Sequence, residues 1–160
     1  MKPAIKVIGV PNDINSSFMR GSSAAPPLIR EALFSASSNL FSESGLDLDQ
    51  IGIWEDLGDI EFSGEITVEN FEKIKTFAKD ILASDQKLVS LGGDHSVSWP
   101  ILDAHLDIWD ALDILHIDAH PDLYDSLLGN KLSHASPFAR IMETGRASRL
   151  VQVGIRTLNK

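Results

Sequence analysis

Asp118-Ala119-His120-Pro121-Asp122 sets two carboxylates and an imidazole within one short stretch, directly after the apolar run Ile114-Leu115-His116-Ile117. In an extended backbone residues two apart point the same way, so Asp118, His120 and, past a bend at Pro121, Asp122 can converge on one small volume. Such a cluster is costly to crowd together unpaired, and a divalent cation is the usual remedy. Gly92-Gly93-Asp94-His95-Ser96 follows another apolar run, and its glycines permit a tight turn that can swing His95 over a strand end. His95, Asp118, His120 and Asp122 are ligands of the hard-to-borderline kind that suit manganese and, less selectively, iron, nickel, cobalt or zinc. Several carboxylates with two imidazoles suit a pair of ions about 3.5–4 Å apart, whose shared water becomes nucleophilic near neutral pH and can attack an electrophilic carbon. His134, beyond Gly129-Asn130-Lys131 and just before Ser136, is placed to shuttle protons at the mouth of such a cleft.

The elements that must hold these groups follow from periodicity. Residues 4–10, rich in Ile and Val between Pro3 and Pro11, read as a buried strand, followed by a loop from Asn12 to Pro27 and a short helix over Leu28–Phe34. Residues 37–49 read as a surface excursion, and Ile51, Ile53 and Trp54 begin a second strand ending near Asp56-Leu57-Gly58-Asp59. Val68, Phe71, Ile74, Phe77, Ala78, Ile81 and Leu82 define one apolar face of a helix from about Val68 to Ala83, with Thr67 as its cap. Lys87–Leu91 is a strand, and a helix from about Ser98 through Ala104 tolerates Pro100 in its first turn. Leu112–Ile117 is a strand, Ser136-Pro137 caps and opens a helix closed by Gly145, and Leu150–Ile155 is a last strand. Strand and helix alternate, which predicts an α/β fold with a parallel sheet covered on both faces. Ligands of such sheets bind at the carboxyl ends of the strands, where His95 and the Asp118–Asp122 stretch both fall.

Composition bounds the rest. The chain has 160 residues, 43% hydrophobic, with eleven glycines, seven prolines and no cysteine, which is the make-up of one ordinary globular domain and excludes thiolate ligands, cysteine nucleophiles and disulfides. A net charge of -9 argues against nucleic acid or an anionic membrane as partner and favours cationic ligands. No apolar run approaches the ~20 residues of a membrane span, and the opening residues reach Pro11-Asn12-Asp13 too early for a signal peptide, so the expected compartment is the cytosol.

Taken in order, Gly92-Gly93-Asp94-His95-Ser96, Asp118–Asp122, Ser133-His134-Ala135-Ser136-Pro137-Phe138 and Gln152-Val153-Gly154-Ile155-Arg156 resemble the ureohydrolases, the family of arginase, agmatinase and their relatives. Gly9-Val10-Pro11, Gly21 with Ala25–Arg30, and Asp56–Asp59 resemble its opening segments, and residues 118–145 look most like the plant-type arginase branch. The resemblance implies a three-layer α/β/α domain with a mostly parallel sheet. It also implies two manganese ions whose bridging hydroxide attacks the guanidinium carbon of arginine or agmatine, a cationic guanidino small molecule, to give urea and an amine. By match of motif, His95 and Asp122 bind one ion, His120 the other, and Asp118 bridges them, while His134 matches the proton-relay histidine. Asp125, Asn130 and Lys131 are candidates for holding the far end of the substrate. Assembly into trimers or hexamers is implied by the family alone.

One departure is large. The family completes its metal pair with two aspartates in a later Asp-x-Asp motif, whereas here the only carboxylate side chains after Asp122 are Asp125 and Glu143. Residues 1–160 therefore read as the N-terminal portion of a single ureohydrolase domain, incomplete at its C-terminal side and inactive alone. The alternative is a truncated, non-catalytic metal-binding or interaction protein. Among the other polar residues, Asp94 reads as forming the turn or supporting a ligand rather than as a ligand itself, and His116 as a core residue facing away from the site. His105 reads as surface, Trp54, Trp99 and Trp109 as packing, and the acids from Glu43 to Asp49 as a solvated loop.

Overall fold

The structure is a computed structural model that describes residues 4–50 and 52–157. The alternation is as expected: β1 (Ile5–Val10), α1 (Ala25–Leu33), β2 (Trp54–Asp59), α2 (Thr67–Leu82), β3 (Lys87–Gly92), α3 (Ser98–Leu106), β4 (Leu112–Ile117), α4 (Pro137–Glu143) and β5 (Ala147–Val153). The expected start of the second strand at Ile51 lies outside the described residues. No helix among the described residues is long and apolar enough to cross a membrane.

Every strand pairing is parallel, but the strands form two hydrogen-bonded groups, β2-β1-β3 and β4-β5, rather than one continuous ladder. A groove of about 300 Å³ separates them, lined from both sides by Ser90, Ile101, Ile114, His116 and Phe138. Alternation along β1 explains the layers. Ile8 and Val10 are buried against Phe71, Ile74 and Ile81 of α2, whereas Ile5 and Val7 face Ile29 and Leu33 of α1 on the opposite side. Burying side chains of this size stabilises by roughly 1.5–3 kcal/mol each, which is what seats α2 on the sheet. Leu106 of α3 and Phe138 and Ile141 of α4 pack over Leu112 and Ile114 of β4 on the side of α2 and α3. The other face of that pair is bare among the described residues, with Leu115 and Ile117 66% and 75% exposed.

Several boundaries move for identifiable reasons. α1 begins at Ala25, because Pro26 and Pro27 fall in its first turn, where a missing N–H costs nothing. Thr67 is the first residue of α2 rather than its cap; its hydroxyl instead donates to Asn15 Oδ1 at 3.1 Å. Val68 and Phe77, expected inward, are exposed, so the buried stripe of α2 is narrower than its apolar face. Ser136 sits at the cap position of α4 but makes no side-chain cap bond. β5 runs three residues earlier than expected at its start, and ends before Gly154, whose φ of 92° leaves the extended region.

Candidate metal centre

The site forms where β3 and β4 end. Gly93 is required by contact rather than by conformation. A Cβ there would lie 2.1 Å from the Asn12 carbonyl oxygen, which accepts the Asp94 N–H at 2.9 Å, and neither Gly92 nor Gly93 takes a left-handed φ. Asp94, buried, has the turn-forming role read for it. Its carboxylate accepts the N–H of Ser96 at 2.9 Å and of Asn15 at 3.0 Å, fixing the 3-10 turn His95–Val97 that delivers His95.

On the other strand, Asp118 Oδ1 accepts the His120 N–H at 2.9 Å, and His120 Nδ1 lies 3.4 Å from the same oxygen. That backbone N–H, with His95 and His116 nearby, holds the Asp118 carboxyl below the usual range against the opposing effect of burial. Asp122 adopts φ 48°, a left-handed conformation that Asp tolerates, and its Oδ2 comes within 2.5 Å of His95 Nδ1. His95, Asp118, His120, Asp122, Tyr124 and His134 all line one cleft of about 410 Å³. A metal ion fits this donor set: two carboxylates and two imidazoles share the cleft, and the donors of His95 and Asp122 are already in contact. His120, 62% exposed in its side chain, contacts no other donor of the set except Asp118.

His134 is anchored from a distance in sequence. Its Nδ1 is 2.9 Å from the Asn15 carbonyl oxygen and its own N–H points to the same oxygen. A carbonyl can only accept, so Nδ1 carries the hydrogen and Nε2 keeps a lone pair in the neutral ring. Asn15, which the sequence did not single out, also accepts from Asn130 Nδ2 at 3.3 Å and donates to Ser96 Oγ at 3.1 Å, tying three loops together.

Asp125, Asn130 and Lys131 lie outside the lining of the cleft. Lys131 pairs with Asp125 at 3.3 Å, and buried Arg140 donates to the carbonyls of Asp125 and Lys131, each at 2.8 Å. Asn130 accepts the Leu132 N–H. These side chains shape the loop rather than face the metal donors.

His116 departs from its expected place. Instead of facing away, its Nε2 is 3.7 Å from Asp118 Oδ2 and its ring lies 5.2 Å from that of His95. Residues 116 and 118 share strand parity, so both point to one face; comparing His116 with Ile117 alone concealed this. Burial, reinforced by His95, pushes its pKa below the ordinary value.

Residues 3–160 match the family described as "Arginase family". Arginase 2, chloroplastic/mitochondrial, of Arabidopsis thaliana is 42% identical over 99% of this chain and 48% of its own length. The N(1)-aminopropylagmatine ureohydrolase of Thermus thermophilus is 36% identical over 98% of the chain and 52% of that protein. The structure of the arginase from Medicago truncatula superposes with a TM-score of 0.90 at 42% identity, covering 99% of this chain and 52% of that one. The chain thus spans about half the length of the curated relatives it matches. The match extends over the strands, the turns that carry His95 and Asp118–Asp122, and the fold that brings them together, and so the chain belongs to the arginase family.

Proposed function

We propose that the protein containing this chain hydrolyses a guanidino compound, arginine or agmatine, to urea and an amine, with a pair of manganese ions held in part by His95, Asp118, His120 and Asp122. The observation that supports this most is the convergence of those four side chains and His134 on one cleft at the carboxyl ends of β3 and β4. When bound, the ion pair supplies Lewis acidity and a water that is nucleophilic near neutral pH. The chain's own residues do the rest. Asp118, whose carboxylate is oriented by the His120 N–H, would be the ligand that the two ions share. His134, its tautomer set by Asn15, offers Nε2 to take up a proton and pass it to the departing amine. A net charge of -9 favours approach of a guanidinium cation. Substrate contacts from Asp125, Asn130 and Lys131 require their present pairings to open.

The same proposal makes residues 1–160 the N-terminal portion of one domain, assembling into trimers or hexamers as the family resemblance implies. The separate sheet groups and the bare face of β4 support an unfinished domain. A non-catalytic binding protein is favoured by one observation. The carboxylates after Asp122 are engaged elsewhere, Glu143 by Arg140 at 2.6 Å and Asp125 by Arg140 and Lys131, so neither joins Asp118 and Asp122 as a third acidic ligand.

Urea release from arginine and from agmatine, measured with Mn2+ and after chelation, separates these readings. The complete protein should show metal-dependent release with one of them, and the 160-residue chain alone should show none. Silence from the complete protein on both substrates overturns the activity; robust release by the isolated chain overturns the half-domain assignment.

A further inference from the structure

Gln152 and His116 are direct cross-strand partners in the β4–β5 ladder, and neither is a metal ligand in the assignment above. The Gln152 amide nitrogen lies 2.7 Å from the Pro121 carbonyl oxygen and 3.0 Å from His116 Nδ1. Turning the amide over would set two oxygens against each other at Pro121, so the nitrogen is where it is placed, and an amide nitrogen only donates. His116 Nδ1 must therefore accept, which puts the ring hydrogen on Nε2. That atom is buried with no hydrogen-bond partner among the described residues, in a side chain only 7% exposed. The nearest acidic oxygen is Asp118 Oδ2, 3.7 Å away, just past hydrogen-bond reach; the other oxygen, Oδ1, is already held by the His120 N–H. Phe138, with its ring centre 4.2 Å from that of His116, keeps the imidazole from turning.

His95, His116 and Asp118 also have donor atoms close enough, within 4.8 Å, to share an ion. The tautomer decides against that use of His116. Nδ1 spends its lone pair on Gln152 and Nε2 carries a hydrogen, so neither nitrogen is free to ligate. We propose instead that Gln152, through His116, positions the Asp118 carboxylate: the chain Pro121–Gln152–His116 presents a neutral N–H donor to Oδ2 and so sets the angle at which Asp118 meets metal. The inference rests on the proposed role of Asp118 as a bridging ligand. Groups that orient a ligand in this way typically contribute 10–100-fold to metal affinity.

The test has two arms on the complete protein. In the metal-free form, 15N NMR of the His116 ring should show the Nε2–H tautomer in the wild type and its reversal in Gln152→Glu, whose carboxylate can only accept from Nδ1. Mn2+ titration by electron paramagnetic resonance should show about a 10–100-fold loss of affinity in His116→Phe, which keeps a ring against Phe138 but has no donor, and recovery in His116→Gln, which restores an N–H. An Nδ1–H tautomer in the wild type, or wild-type affinity in His116→Phe, overturns the inference. Loss of affinity in His116→Phe without recovery in His116→Gln, alongside an unreversed tautomer in Gln152→Glu, reduces His116 to packing and overturns it too. Failure of the wild type to bind Mn2+ sinks the proposed function instead, and the tautomer arm then decides the hydrogen-bond chain alone.

Discussion

Asn15 and His134, far apart in sequence, meet through the Asn15 carbonyl oxygen and His134 Nδ1 at 2.9 Å, so a backbone atom of the first loop dictates which nitrogen of the imidazole can take a proton. The Asn15 side chain fixes that carbonyl in turn, accepting from Thr67 Oγ1 and Asn130 Nδ2. Asn15→Ala keeps the carbonyl but removes its supports. It should lower kcat for urea release with bound manganese unchanged, and cost about 1–2 kcal/mol of stability. Metal analysis alongside initial rates checks it; a loss of metal equal to the loss of rate contradicts the assignment.

His120 and His134 line the same cleft but are expected to fail differently when changed. His120→Asn should weaken Mn2+ binding, while His134→Asn should leave the metal in place and slow turnover about 10²–10⁴-fold, the usual worth of a general acid–base. Atomic absorption on dialysed variants is the measurement. Equal metal loss in both would undo the division of roles.

Gly93 admits no side chain, because the Asn12 carbonyl occupies the place a Cβ would take, at 2.1 Å. Gly93→Ala should destabilise by about 3 kcal/mol through forced backbone movement. It should also reduce Mn2+ affinity, since the displaced turn carries His95. Chemical denaturation with a parallel metal titration tests both, and a variant as stable as the wild type refutes the contact argument.

Arg30 grips Asp56 with two bonds, Nε to Oδ2 at 2.6 Å and Nη2 to Oδ1 at 2.9 Å, and also pairs with Asp59. The guanidinium holds the Asp56 carboxyl below its ordinary range, and the carboxylates raise the Arg30 pKa in return. A carboxyl depressed in the folded state adds stability that is full above its unfolded value, about 3.9, and is lost as pH falls through the lower folded value. Asp56→Asn should therefore cost about 2 kcal/mol near neutral pH and progressively less in acid below about pH 4. Thermal melts across that range should converge for variant and wild type; a constant gap counts against the ion pair.

Much of this was readable in the chain because the deciding interactions are local. The β-branched run Ile5–Val10, the apolar stripe through Phe71, Ile74 and Ile81, and the motif around Asp118 each carry their own periodicity. Asn15 was illegible because it acts through a main-chain carbonyl on a residue brought near only by folding. Thr67 looked like a cap because its local context suits one, and a tertiary partner, Asn15, claimed its hydroxyl. His116 could have been placed by counting strand parity to Asp118. The division of the sheet could not, since alternating strands and helices specify a parallel architecture without specifying strand order.

That division leaves strand edges open. β3 and β4 are each paired on one side, yet no strand among the described residues joins them. Those unpaired edges, beside a bare β4 face with Leu115 and Ile117 exposed, are templates for pairing with another strand. His95 follows β3 and Asp118 follows β4, so the cleft draws its donors from two separate ladders, and any shift of one ladder against the other changes the distance between those donors.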